Sequence, residues 1–411
     1  MLRFPRRVGA RFVALLRADP SGVRAGFVAL LISAATGLIA GITLGSITGT
    51  LEDLPGLMIL VPAAVGLRGT VFGALGSRLG TAVHAGTFRL SWRIDTFAGQ
   101  NLASAVALSM GLAFLLAIVA KGFAIAFGVA NAISLADFVV ISVMGGLIPI
   151  AVVGAIALAV AALGVRHEWD LDNVSAPVVT AAADSVTLPS LFLATALVGV
   201  AGVTVVLAVF SAIVCSVCLV VGWRTHLPTL RRIVRESVPV LLLAGSVSML
   251  AGLTIQGRID ELVGLPALLV VIPPLLSLSG SLAGILSSRL ATKLHLGFVE
   301  ARRGVWRGVV EDVLLVYVLG AAIFLVLGVA TEVISAIFGL DGPSTIGLIG
   351  TVMLAGMLAT TLSNFVGYFG ALGTFRYGLD PDNFGIPLVS SASDLLGAVS
   401  LILAIVILGI T

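Results

Sequence analysis

Apolar stretches of 18 or more residues recur along this 411-residue chain from about residue 25 to its last residue, and each is long enough to cross a hydrocarbon layer about 30 Å thick. Inside lipid, backbone N–H and C=O groups must be satisfied within the protein, so stretches of this kind fold as helices. The remaining composition agrees: only 10% of residues are charged, against roughly 25% in soluble domains. The expected fold is an all-α membrane protein, and no soluble domain fits between the apolar runs.

Gly, Pro and charged breaks divide the runs into spans near 25–46, 55–77, 99–120, 136–164, 176–198, 202–222, 238–256, 265–288, 312–330, 344–372 and 385–410. The long run over 184–222 is split at Gly199 and Gly202. Eleven crossings from a cytoplasmic N-terminus place twenty of the 23 basic residues inside and Lys121 and Arg258 outside, with Arg68 within a span. Such an asymmetry orients membrane proteins. It predicts a multi-pass protein of the plasma membrane, the inner membrane in a prokaryote, with its C-terminus outside. The net charge of +3 is explained by these loops, so nucleic acid is not an expected partner. The basic start of the chain has no convincing small-residue cleavage site after it and reads as an uncleaved first helix. Cys215 and Cys218 lie in an apolar span without polar neighbours and read as small core side chains rather than a metal or redox pair.

The chain is internally duplicated. "LPGLMILVPAAVGLRGTVFGALGSRLGTAVHAG", from Leu54, aligns without a gap on "LPALLVVIPPLLSLSGSLAGILSSRLATKLHLG", from Leu265. "DLDNVSAPVVTAAAD" (170–184) likewise meets "DPDNFGIPLVSSASD" (380–394). Shared apolar composition cannot keep Pro, Gly, Arg, Asn and Asp in register twice. Both copies start from a basic segment, so they run parallel. The division is a basic tail over 1–24, a five-span repeat over 25–200, a linker span and basic loop over 201–236, and a second five-span repeat over 237–411.

Two acids stand in the duplicated fifth spans, where a charge at the bilayer centre costs roughly 2.5–3.5 kcal/mol on insertion scales. Pro177 and Pro387 mark the expected helix starts, and counting from Ser175 or Gly385 puts Asp184 and Asp394 about 13 Å along. Two parallel repeats would turn both carboxylates to one central path. Hydroxyls surround them: Thr180, Ser185 and Thr187 in one half, Ser390, Ser391 and Ser393 in the other. Hard oxygen donors without His or Cys suit Mg2+ or another hard divalent ion. The ion is then cargo, not a resident cofactor. No nucleophile–base pair or metal-ligand set recurs, so no enzyme is expected.

Further residues are candidate lining. Prolines and glycines make the second span of each repeat look broken. Gly66, Gly69 and Gly73, against Gly280 and Gly284, either open backbone carbonyls to a cavity or pack helices closely. Arg68, opposite Ser279, either meets an acid, offsets the field in the path, or snorkels to an interface. Asn364 lines the path or joins helices. His84 and His295 read as interfacial loop residues, and Arg78 and Arg289 as headgroup anchors. Glu52 and Asp53, with Asp260 and Glu261, form an outer acidic vestibule or are solvated loop acids.

The "PAAVGLRGT" stretch, the repeated "SRLGT" and "SRLAT", and the acid-bearing "PVVTAAAD" and "PLVSSASD" resemble the membrane domain of MgtE-type magnesium transporters, and in particular the solute-carrier family 41 branch, where two such domains are fused. The resemblance implies five spans per repeat, a linker span, and a pore carboxylate in the fifth span, which falls on Asp184 and Asp394. The roughly 24 residues ahead of the first span leave no room for a cytoplasmic magnesium-sensing domain, so gating by one is not expected. With both halves in one chain a monomer suffices, and a homodimer stays open. The competing readings are transport or exchange of Co2+, Mn2+ or Ca2+, and a membrane scaffold.

Overall fold

A computed structural model describes residues 20–91, 93–167, 171–200, 202–298, 305–378 and 384–410. Among these residues there are thirteen α-helices and no strands. They are α1 (Pro20–Ser46), α2 (Thr48–Asp53), α3 (Leu57–His84), α4 (Phe97–Ala126), α5 (Leu135–His167), α6 (Leu171–Thr195), α7 (Val203–Arg224), α8 (Pro228–Gln256), α9 (Ile259–Val263), α10 (Pro266–His295), α11 (Val305–Phe338), α12 (Thr345–Tyr377) and α13 (Ile386–Leu408). Eleven are long and apolar enough to cross a membrane, the number read from the sequence.

Local chemistry sets the ends. Thr96 and Ser344 cap α4 and α12 by accepting hydrogen bonds from the Gly99 and Gly347 amides at 3.1 and 3.2 Å, which occupies donors a helix start leaves free. The chain turns between α6 and α7 through Gly199 and Gly202, both at φ near +80°, a region costly to any residue with a β-carbon. α8 begins at Pro228, ten residues before the expected span. Hydropathy marks the part of a helix that meets lipid, and these first turns carry Arg231, Arg232 and Arg235 instead. Arg232 pairs with Glu236 at 3.0 Å, and Arg235 donates to the Trp223 carbonyl at the end of α7 at 3.1 Å, as a base near a helix C-terminus does.

Three expectations are corrected. The second spans are not broken: α3 and α10 run unbroken through Pro62 and through Pro273 and Pro274. Pro177 does not begin its helix, because α6 already starts at Leu171; Pro387 does lie in the first turn of α13. The four acids expected to face outward sit not in loops but on two short helices at matched places in the repeats, Glu52 and Asp53 on α2 and Asp260 and Glu261 on α9.

The chain forms two compact units, one of residues 39–263 and the other of the residues before Ile39 with Gly264 onward. In the first, α8 lies on α3: a β-carbon at Gly252 would stand 2.2 Å from the Met58 carbonyl oxygen. Pro62 lacks the N–H that would have bonded that carbonyl, and the bare glycine lets α8 close over it. In the second unit, α1 lies on α10, where Gly37 abuts the Pro274 backbone and Ser33 and Ser277 share a hydrogen bond of 2.8 Å. The first helix of each repeat therefore packs on the second helix of the other repeat. Lipid offers no hydrophobic drive for helices to associate, so small residues at such crossings carry the packing.

Candidate functional site

In residues 39–263 the site is a seam between α3 and α6. Glycines 69, 73 and 76 on α3 fall at helical spacing on one face, and the antiparallel α6 sets Ser175, Thr180 and Asp184 against them. Ser175 Oγ donates to the Gly76 carbonyl at 2.8 Å, and Thr180 Oγ1 makes a longer bond of 3.4 Å to the Gly69 carbonyl. A β-carbon at Gly73 would fall 2.5 Å from Thr180 Oγ1, and one at Gly69 would fall 3.2 Å from Asp184 Oδ1. At Gly69 and Gly73 the bare backbone lets the two helices pack closely. It also seats the carboxylate against the second span.

Residues 264–411 repeat the arrangement between α10 and α13. Gly280 takes the place of Gly69 and abuts Ser390, whose Oγ is 3.0 Å from where a β-carbon would be. Two turns further along α13, Gly397 abuts Ser279. This seam is looser than its partner, because nothing lies within 4 Å of a β-carbon at Gly284, the match of Gly73. Ser391 Oγ is spent on the Leu388 carbonyl at 3.2 Å. Asp184 and Asp394 are each 8% exposed. Both lie well inside their helices, as the fourteenth of 25 residues and the ninth of 23.

Arg68 is fully buried, which removes the snorkelling alternative. Its guanidinium donates to the Ala64 and Ser142 carbonyls at 3.0 and 2.8 Å, so these bonds go to backbone rather than to an acid. Gly146 makes the room: a β-carbon there would stand 2.5 Å from Arg68 Nη2. Asn364, on α12, is 7% exposed with no hydrogen-bond partner on either amide atom.

Other residues differ from their expected settings. His84 and His295 are in the last turns of α3 and α10, not in loops. His84 Nδ1 meets the Gly80 carbonyl at 3.1 Å, and His295 lies edge-on to Phe375. Arg289 is not simply a headgroup anchor: its Nε bonds Asp312 Oδ1 at 3.0 Å, and Lys293, one turn on, bonds the other oxygen. Asp312 is completely buried and was missed because it stands at the first residue of its apolar run. Arg289 and Lys293 at i and i+4 were the signal, since such a pair presents two bases on one face. The short helices α2 and α9 touch, and Arg258 pairs with Glu261 at 2.8 Å, which partly neutralises the acidic group there. Cys215 is buried and both cysteines are free thiols. Among the described residues no group of three or more His, Cys, Asp and Glu side chains could hold a metal.

The sequence signature of the MgtE family, described as a divalent cation transporter, matches residues 61–194 and 272–404, one stretch in each half. Solute carrier family 41 member 2 of Xenopus laevis is 24% identical over 87% of this chain and 66% of its own length. Solute carrier family 41 member 3 of Rattus norvegicus is 26% identical over 31% of this chain and 28% of its own. The chain thus spans less than two thirds of either relative. Among solved structures, the eukaryotic MATE transporter AtDTX14 aligns over 93% of this chain and 96% of that one, at 14% identity and a TM-score of 0.22, too low to relate the two folds.

Proposed function

We propose that this chain, which belongs to the MgtE family of divalent cation transporters, carries Mg2+ across the membrane, with Asp184 and Asp394 each supplying a carboxylate to the ion's path. The observation that carries the reading is the twofold recurrence of one arrangement. In each half a fifth-span acid, buried with the same 8% left exposed, lies on a helix packed by a hydroxyl residue against a glycine of the second span. An acid within a membrane span is costly and is by default the mark of an ion path, and two of them match the charge of a divalent cation.

The side-chain donors near the acids in sequence are hydroxyl oxygens, which suit a hard ion. Mg2+ sheds water reluctantly, so two carboxylates serve an ion that keeps most of its shell. Entry driven by the membrane potential would gain about 2.3 kcal/mol per charge per 100 mV. Co2+, Mn2+ and Ca2+ are the competing cargoes. Thr180, Ser390, Ser391, Gly69 and Gly280 line or shape the path, and Arg68 places a fixed positive charge in the first half. No catalytic chemistry is assigned. The expected setting is the plasma membrane, N-terminus inside and C-terminus outside, with the monomer sufficient.

Growth of a magnesium-transport-deficient cell at low Mg2+ tests the reading. The wild-type chain restores growth, while Asp184→Asn and Asp394→Asn at equal protein levels do not; rescue by both variants would overturn the assignment.

A further inference from the structure

The two halves share a plan but not a donor set. On α12, Thr351, Thr360, Thr361 and Thr374 each return their hydroxyl to a carbonyl one turn back, the ordinary fate of a hydroxyl within a helix. Ser363, on the same helix, does not, and neither does Ser393 on α13; both side chains are fully buried and their Oγ atoms have no partner. Asn364 is, among the described residues, the one side chain whose amide oxygen and nitrogen are both buried without a partner.

These orphans gather at the level of Asp394. Gly370 of α12 abuts Val389 of α13. Counting outward from that contact, Asp394 is five residues along one helix and Asn364 six along the other. A second route uses Gly367 against Ala283 and Gly280 against Ser390; it sets Asn364 level with Ser390, four residues short of Asp394. Either way the amide and the carboxylate are within about one helical turn in height. Ser393 is four residues beyond Val389 and Ser363 seven before Gly370, so both hydroxyls belong to the facing sides of α12 and α13.

The first half does not repeat these orphans at the matching positions; its partnerless buried acceptors among the described residues, Gln100 Oε1, Asn101 Oδ1 and Ser109 Oγ, all stand on α4. Ser393 corresponds to Ala183, and the stretch matching Asn364 and Ser363, "IPIAVVGAIALAV" (148–160), has neither amide nor hydroxyl. The first half carries instead the buried guanidinium of Arg68, on the helix that packs against Asp184, where the second half has neutral Ser279.

Resting on the transport reading above, we infer that Asn364, Ser363 and Ser393 form an oxygen layer beside Asp394 that grips the water shell of the passing cation, and that this grip belongs to the second half alone. A hydrated Mg2+ shows its surroundings only the hydrogens of its waters, so recognition without dehydration requires acceptors. The amide oxygen and the two hydroxyl oxygens are such acceptors, and the amide nitrogen donates to a water outside that shell. The first half contributes its carboxylate under the opposing field of Arg68.

The test uses the full chain in liposomes, measuring Mg2+ influx and its inhibition by cobalt(III) hexaammine, an inert ion whose N–H groups imitate hydrated Mg2+. Asn364→Leu keeps the volume and removes the acceptor. It is expected to raise KM for Mg2+ and the inhibitory hexaammine concentration each by about tenfold, with the maximal rate within about twofold. Ser393→Ala should shift both in the same direction by a smaller factor and carries the test if the leucine variant does not fold. Wild-type values of both quantities in the folded variants would refute the oxygen layer alone. A wild-type chain that carries no Mg2+ would instead refute the transport reading beneath it.

Discussion

Adding a single methyl group at Gly69 probes whether Asp184 stands on the ion's route. The β-carbon of Gly69→Ala would lie 3.2 Å from Asp184 Oδ1 and 3.4 Å from Thr180 Cγ2, a few tenths of an ångström too close to the oxygen. What yields is the carboxylate, a side-chain end, rather than backbone. Turning it about 30° from its rotamer costs about 0.5–1.5 kcal/mol, while alanine gains about 1 kcal/mol over glycine in a helix. Stability is therefore expected to change by less than about 1 kcal/mol. The displaced carboxylate, however, loses a charge-assisted bond to the ion or its water worth about 1.5–3 kcal/mol, which is roughly a ten- to hundredfold rise in KM. The assay is initial Mg2+ influx into liposomes across a range of Mg2+ concentrations, with thermal unfolding in detergent alongside. Gly284→Ala adds the same methyl where nothing lies within 4 Å, and should leave influx unchanged. Gly69→Ala with wild-type KM and an unchanged melting temperature would refute the reasoning.

Gly252→Ala should act on stability: its β-carbon would stand 2.2 Å from the Met58 carbonyl oxygen and 2.8 Å from the Ile59 Cα, and backbone cannot turn aside. Overpacking of about 1–3 kcal/mol lowers the melting temperature by several degrees, read by thermal unfolding in detergent. Asp312→Asn strips a fully buried acid from Arg289 and Lys293. Both bases are about a quarter exposed, so the usual 3–5 kcal/mol for breaking a buried pair is reduced to about 2 kcal/mol. The same unfolding measurement checks it.

The sequence displayed the duplication and the spans clearly because Pro, Gly and Asp recur in register against an apolar background. The turn at Gly199 and Gly202 was legible for the same reason: two glycines interrupt a run too long for one helix. Continuity of α3 and α10 was not legible, since Pro62, Pro273 and Pro274 read as breaks and only close packing by α8 and α1 compensates them. Nor was the crossing of each repeat's first helix onto the other repeat's second, which depends on contacts that no local pattern encodes. At the site, Asp184 and Asp394 stood out as acids in apolar runs. The setting of Arg68 could not be read, because its partners are backbone carbonyls and its space comes from Gly146, a glycine on another helix. Asn364 was visible as a lone amide, but its orphaned atoms belong to the packing of three helices.

Mg2+ influx into liposomes containing purified Asp184→Asn or Asp394→Asn, compared with the wild-type chain at equal incorporation, bears most directly on the central claim. Neutral asparagine keeps the shape and removes the charge, so influx at limiting Mg2+ is expected to fall at least about tenfold in each variant. Wild-type influx in either one would show that its carboxylate takes no part in moving the ion.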